Sequence, residues 1–221
     1  METEVKLAFK NRESLYQAAE SGWFTEHCLN PDSTPMTLEN YYLDTRDLVL
    51  GLRQAAFRKR HCKGIDADFY EFTVKCRGGA NDGIHKRYEW NVKSNDGVLS
   101  VDEFKMKAGN DGDDPEILAE VLDGIKDSDL FTLCSNSFDR TMYDFRFGNS
   151  TMEACIDYGE IKDSQGKVCD IICEMELELK DGSLEDLEAS KVFIMSKTDA
   201  VPFDLSKFKR TLDASRSGGN V

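Results

Sequence analysis

The opening stretch Glu2-Thr3-Glu4-Val5-Lys6 and the late stretch Cys173-Glu174-Met175-Glu176-Leu177-Glu178 place charges at every second residue. A β-strand repeats every two residues, so Glu2, Glu4 and Lys6 share one face, while Val5, Leu7 and Phe9 lie on the other. A single such strand fits an ordinary half-buried position with its charges in solvent. Recurrence of the pattern argues otherwise. Arg58 and Arg60 share a face; Thr73, Lys75 and Arg77 lie opposite Phe72, Val74 and Cys76; His85, Arg87, Glu89 and Asn91 lie opposite Tyr88 and Trp90. Glu153, Cys155 and Asp157 form a further row. The signs also segregate, acidic on the first and last strands and basic between, where plain solvent faces would mix them. About eight antiparallel strands closed into a barrel account for every row at once: charges fill the lumen and helices cover the apolar exterior. The expected fold class is therefore α+β, mainly β.

Helical coverage is available in three places. Asn11 caps a short amphipathic helix ending near Gly22, residues 99–126 carry helical periodicity with Asp114-Pro115 as cap and first residue, and Gly182-Ser183 opens a helix to about Lys197. The Gly78–Gly83 stretch reads as a hairpin turn, and the basic Ser206–Arg210 segment begins a last helix. No internal repeat or linker divides the chain, so residues 1–212 read as one domain, with 213–221 as a disordered tail.

No apolar run approaches the roughly 18 residues needed to span a bilayer. The METEVK opening lacks the basic and apolar regions of a signal peptide. Seven cysteines without paired spacing fit reduced thiols, and a cytoplasmic location is expected. A net charge of −14 excludes a nucleic-acid binder that relies on basic surface. It would also repel phosphates unless the acids bind metal and the bases cluster. The rows supply that arrangement. Carboxylates in rows suit hard divalent cations such as Mg2+ or Mn2+, and arginine and lysine rows suit phosphate oxygens. A lumen holding both is suited to a metal-bound polyphosphate. No Walker-type loop is present, since the glycines at 78–83 lack a Gly-Lys-Ser/Thr ending, and no serine or cysteine nucleophile signature is found.

Seven segments together resemble the CYTH domain of the triphosphate tunnel metalloenzymes. They are Glu2-x-Glu4-x-Lys6, Tyr41-Tyr42-Leu43-Asp44-Thr45, Arg58-x-Arg60, Thr73-Val74-Lys75, His85-Lys86-Arg87-Tyr88-Glu89, Asp157-Tyr158-Gly159-Glu160 and Cys173-Glu174-Met175-Glu176-Leu177-Glu178. Within that family the histidine-arginine segment and the glutamate strand look most like bacterial inorganic triphosphatases. Arg46 and Lys59 depart from the usual pattern at positions expected to affect packing.

The resemblance implies an eight-stranded tunnel acting on triphosphates with divalent metal, two ions in all. It implies Glu2, Glu4, Glu174, Glu176 and Glu178 as metal ligands, and Lys6, Arg58, Arg60, Lys75, Arg87, Arg140 and Lys207 as phosphate contacts. Glu4, Lys6, Lys75 and Glu176 are the expected catalytic set. Phe72, Tyr88 and Trp90 face outward in this register, leaving few lumen aromatics to stack on a base. The expected reaction is hydrolysis of tripolyphosphate to pyrophosphate and phosphate. An organic triphosphatase, a class IV adenylyl cyclase and a non-catalytic polyphosphate-binding module are the alternatives. Inorganic triphosphate is the expected partner, with no nucleic acid and no membrane, and the chain as monomer or homodimer.

Overall fold

The computed structural model describes residues 1–30, 33–111, 113–163 and 165–217. In chain order the elements are β1 (Glu2–Ala8), α1 (Arg12–Ala19), α2 (Gly22–Thr25), β2 (Met36–Thr45), α3 (Val49–Leu52), β3 (Ala55–Lys63), β4 (Asp68–Asn81) and β5 (Ile84–Ser94). There follow α4 (Val101–Asp111), α5 (Pro115–Val121), β6 (Leu130–Phe147), β7 (Ser150–Lys162), β8 (Val168–Asp181), α6 (Leu184–Lys197), β9 (Val201–Pro202) and α7 (Lys207–Ser217).

The strands pair in the order β5-β4-β3-β2-β6-β7-β8-β1, all antiparallel, and a β5–β1 pairing closes the ring. The eight-stranded closed barrel is thus present, with α1–α6 packed outside it and the later α7 entering one end. β1 has two neighbours on its β5 side: Glu2–Val5 pair with β5, and Leu7 and Ala8 pair with the two-residue β9. Gly83 makes this corner possible. Its φ of +77° is left-handed, and a Cβ there would meet the Lys6 carbonyl at 2.7 Å.

Alternation decides which side chains go inside. Val5, Leu7, Met152, Ala154, Ile156, Met175 and Leu177 point out and form a core with Leu15, Phe24, Leu187 and Ile194 of α1, α2 and α6. Phe57, Phe72, Val74 and Trp90 form a second core under α3, α4 and α5, with Leu50, Phe104 and Leu118. Burial of each Val, Leu, Ile, Met or Phe side chain among these stabilises the fold by roughly 1.5–3 kcal/mol. Phe72, Tyr88 and Trp90 therefore face outward, as their register requires. A third cluster lies inside the barrel at one end, where Ala214 of α7 meets Leu38, Cys62, Phe138, Ile161 and Ile172.

Local signals hold at the helix starts. Asn11, Asp114 and Ser183 each accept a backbone N–H from the first turn that follows. Four boundaries differ from expectation. Gly22 opens α2 rather than stopping α1, and the 99–126 stretch is two helices, divided ahead of Pro115. β4 continues through Asn81, because a register shift between Cys76 and Gly79 lets the strand bulge and resume pairing. Residues 213–217, expected in a disordered tail, belong to α7; residues 218–221 lie outside the described residues. No helix among the described residues is long and apolar enough to cross a membrane.

Candidate functional site

The lumen holds a cavity of about 690 Å³. Ten lysines and arginines and eight carboxylates line it, a slight basic excess inside a chain whose overall charge is −14. Among them are Glu2, Glu4, Lys6, Arg58, Arg60, Lys75, Arg87, Arg140, Glu176, Glu178 and Lys207, all expected from the sequence. Glu174, the remaining expected residue, is buried behind this lining against α7.

Three groups of charges occupy the lumen. In the first, strands β1, β4 and β5 bring Glu2, Glu4, Lys75, Arg87 and Glu89 together. Lys75 Nζ donates to both Glu2 oxygens at 2.9 and 3.0 Å and lies 2.8 Å from Glu89 Oε2. Arg87 donates through Nε to Glu2 at 2.7 Å and through Nη2 to Glu4 at 2.5 Å. Burial alone would raise the pKa of Glu2, but Lys75 and Arg87 overcome it and hold the carboxyl far below its usual range. Glu89 moves the other way. Burial, together with a hydrogen bond to the Glu2 carboxylate, raises its pKa. Glu178, the β8 partner of Glu4, is likewise raised by burial and by Glu2 and Glu89, despite Lys180 at 2.8 Å.

The second group is the most deeply buried. Asp157, fully inaccessible, accepts from Arg140 Nε at 2.7 Å and Nη2 at 2.5 Å, and lies 2.8 Å from Lys207 Nζ. Lys207 also donates to Glu174 and Glu176, both at 2.7 Å, and Arg140 donates to Glu176 at 2.7 Å. Lys6 completes the ring at 3.1 Å from Glu176. Arg210, one turn along α7, pairs with Glu174 and with Asp170 at 2.6 Å. Burial would raise the carboxyl pKa values of Asp157 and Glu176, but Arg140 and Lys207 beside Asp157, and Lys207 and Lys6 beside Glu176, lower both. α7 thus enters one end of the tunnel with Lys207, Arg210, Thr211 and Ala214 on its inward face.

The third group lies on β3 and β4. Arg58 Nη2 donates to Thr73 Oγ1 at 2.8 Å and to Glu71 at 3.2 Å, and Arg60 Nη1 is 3.6 Å from the same Glu71 oxygen. Arg58 Nε is the one buried side-chain nitrogen or oxygen among the described residues with no hydrogen-bond partner. Burial, with Arg58 and Arg140 nearby, pulls the pKa of Arg60 down to about 10. The guanidinium stays charged at neutral pH, so the shift registers first its burial and then the positive charge of Arg58 and Arg140 beside it, which Glu71 only partly offsets.

The donor set suits a hard divalent cation. Glu2, Glu4 and Glu178 offer carboxylate oxygens from adjacent strands, and the raised pKa of Glu178 marks a carboxylate whose ionised form lacks enough positive charge. In the conformation described, the acids turn toward lysines and arginines, and no three His, Cys, Asp or Glu side chains among the described residues form a group open to a metal ion; the point where Asp157, Glu174 and Glu176 meet is taken by Lys207 Nζ. Glu174 and Glu176 meet bases instead.

Sequence reasoning left Asp157, Glu71 and Glu89 without roles. Asp157 and Glu89 lay on the inward faces already identified, which was the available signal. Arg77, expected inward, is turned out by its left-handed φ of 49° at the β4 bulge and pairs with Glu120. Aromatics do reach the lumen. Tyr42, Phe69 and Phe208 line the cavity, the Tyr42 and Phe208 rings 4.9 Å apart.

Several solved structures share the fold. A Hippeastrum protein, described as a candidate adenylyl cyclase with dominant triphosphatase activity, aligns with a TM-score of 0.67 and 17% identity, over 100% of this chain and 98% of its own. A Bacillus halodurans protein described as a candidate adenylate cyclase aligns with a TM-score of 0.57 and 17% identity over 95% and 96% of the two chains. The PH1819 protein of Pyrococcus horikoshii OT3 gives a TM-score of 0.55 and 13% identity over 95% and 98%. The sequence model of the CYTH domain matches residues 1–211. With the closed barrel and its charged lumen, that match over nearly the whole length shows that the chain belongs to the CYTH domain family.

Proposed function

We propose that this protein hydrolyses inorganic triphosphate to pyrophosphate and phosphate inside the tunnel, with Mg2+ or Mn2+, two ions in all. The observation that carries the reading is the under-compensated arginine group: Arg58 has a buried Nε without a partner, and Arg60 is crowded by Arg58 and Arg140. A buried donor left unpaired costs about 1–3 kcal/mol, and a polyanion in the lumen removes that cost. The same-fold Hippeastrum protein is described as having dominant triphosphatase activity, which supports a triphosphate as the anion.

Glu2, Glu4 and Glu178 would hold divalent cation, with Glu176 and Glu174 joining if Lys207 turns to substrate. Bound there, the metal would offset substrate charge and lower the pKa of a coordinated water. The chain's own residues do the rest. Arg58, Arg60, Lys75, Arg87 and Arg140 position the phosphates, and Lys6 and Lys207 meet charge growing on the leaving oxygens. Glu4 and Glu176 stand among these bases as the catalytic carboxylates. α7 enters one end of the tunnel and covers Glu174 there.

One observation favours a second reading. Tyr42, Phe69 and Phe208 at the cavity wall could stack on an organic group, which an organic triphosphate would bring. A panel of tripolyphosphate, ATP and thiamine triphosphate with each metal separates the two. Tripolyphosphate should release phosphate fastest; faster release from an organic triphosphate would reject the inorganic assignment. Glu4→Ala should abolish turnover with folding largely kept, whereas retained turnover would reject the metal assignment.

A further inference from the structure

Arg60 is oriented differently from Arg140, Lys75 and Arg87. Arg140 is held by Asp157, Lys75 by Glu2 and Glu89, and Arg87 by Glu2 and Glu4, each through carboxylates that also neutralise it. Arg60 donates from Nε to an amide, Asn40 Oδ1, at 2.8 Å. Asn40 Nδ2 donates to Asn136 Oδ1 at 2.9 Å, Asn136 Nδ2 to Thr211 Oγ1 at 2.7 Å, and Thr211 Oγ1 to the Lys207 carbonyl at 2.7 Å. The line crosses β3, β2 and β6 and ends on α7. All four side chains are buried, from fully inaccessible Asn40 to Arg60 at 9% exposure.

The direction of this line is fixed by chemistry. A guanidinium can only donate, so Asn40 must present its oxygen to Arg60 and its nitrogen to Asn136. Asn136 must then present its oxygen to Asn40 and its nitrogen to Thr211. Flipping either amide would set donor against donor. In a low-dielectric interior such a chain polarises along its length, while a broken link strands a buried amide. An amide also orients the guanidinium without cancelling its charge, which a carboxylate at the same place would do.

We infer that Asn40 and Asn136 are positioning residues that aim Arg60 at the substrate phosphate and make that aim depend on α7 being docked. Arg60 is held at Nε, at the side of the guanidinium, so its terminal nitrogens remain for the anion; Nη1 stands only loosely, 3.6 Å, from Glu71. The same α7 turn carries Lys207, so one helix sets cations on two opposite parts of the lumen. Withdrawal of α7 would release both.

The inference rests on the triphosphate reading, and the experiment separates the two. The first arm uses no substrate: the side-chain ¹H–¹⁵Nε signal of Arg60, assigned by its loss in Arg60→Ala, is followed by hydrogen exchange. Asn136→Leu should speed its exchange about tenfold or more, and Thr211→Val, which touches only the link to α7, should speed it as well. An unchanged signal in both variants overturns the relay. The second arm measures steady-state tripolyphosphate hydrolysis. Asn136→Leu should raise KM about tenfold with kcat within about twofold. In an Arg60→Ala background the same change should move KM by less than about twofold. An equal rise in both backgrounds overturns the inference, because the amide would then act independently of Arg60. If Asn136→Leu does not fold, Thr211→Val carries both arms. Wild-type protein that leaves tripolyphosphate intact rejects the function before any variant is made, and the exchange arm still decides the relay.

Discussion

Lys6 and Glu176 are backbone partners on adjacent strands and also an ion pair inside the lumen, Nζ lying 3.1 Å from Oε1. Glu176 has two further cations, Arg140 and Lys207, so its charge does not depend on Lys6 alone. Lys6→Met should therefore cost only about 1–3 kcal/mol of stability in urea unfolding. Its effect on kcat/KM for tripolyphosphate should be larger, roughly 10²- to 10³-fold, since no other β1 cation faces the lumen. A rate loss no greater than the fraction unfolded would remove Lys6 from the chemistry.

Asp157 presents the opposite balance. It is wholly buried and holds two cations, Arg140 and Lys207. Asp157→Asn leaves both beside a neutral amide and should destabilise the fold by about 3–5 kcal/mol. Chemical denaturation measures this directly, and a loss below about 1 kcal/mol would mean that Glu174 and Glu176 suffice as counter-charges.

The lumen carboxylates give stability a two-sided pH dependence in chelator-treated protein. Glu2, Asp157 and Glu176 have folded pKa values below their unfolded ones, so the stability they contribute is present above the unfolded pKa and is lost as pH falls through the folded values. Glu89 and Glu178 are raised, so the folded state favours their protonated forms and stability is lost as pH rises through those values. Glu178→Gln should accordingly melt higher than wild type near pH 8, with the gap closing as pH falls into the ordinary carboxylate range. A gap that does not vary with pH contradicts this assignment.

Gly159 tests the close approach of β6 and β7. A Cβ there would lie 2.5 Å from Phe138 Cβ and 2.7 Å from the Ser137 carbonyl oxygen. Gly159→Ala should cost about 1–3 kcal/mol through overpacking, seen as a lower melting temperature. An unchanged midpoint would mean that the strands separate freely at this point.

Much of this architecture was legible because alternation is written residue by residue. The Glu2–Lys6 and Glu174–Glu178 rows identify the lumen side of β1 and β8, and the rest of the barrel follows from the same period of two. The illegible parts depend on events outside that period. The bulge at Arg77 reverses which side the chain presents, so a correct face assignment fails one residue past Cys76. Glu174 sits on the correct face but is covered by α7, which no strand pattern encodes. Asn40 and Asn136 carry no charge to mark them, and their roles emerge only when four elements meet. Phe69 and Phe208 reach the cavity from a strand start and from α7.

The closure of the ring through β1 has a kinetic consequence. Glu4 pairs with Glu178 on one side and with His85 on the other, so the site is completed by contacts between residues far apart in the chain. Closing so long a loop is entropically costly and slow compared with forming the β4–β5 or β6–β7 hairpins. In that order of assembly the Glu2–Lys6 row is still hydrated when Lys75, Arg87 and Glu89 come together on β4 and β5, so Glu2 and Glu4 meet their cations as they are buried. Pulse-labelled hydrogen exchange during refolding should find the β1 amides protected after those of β4 and β5; protection of β1 first would reverse this order.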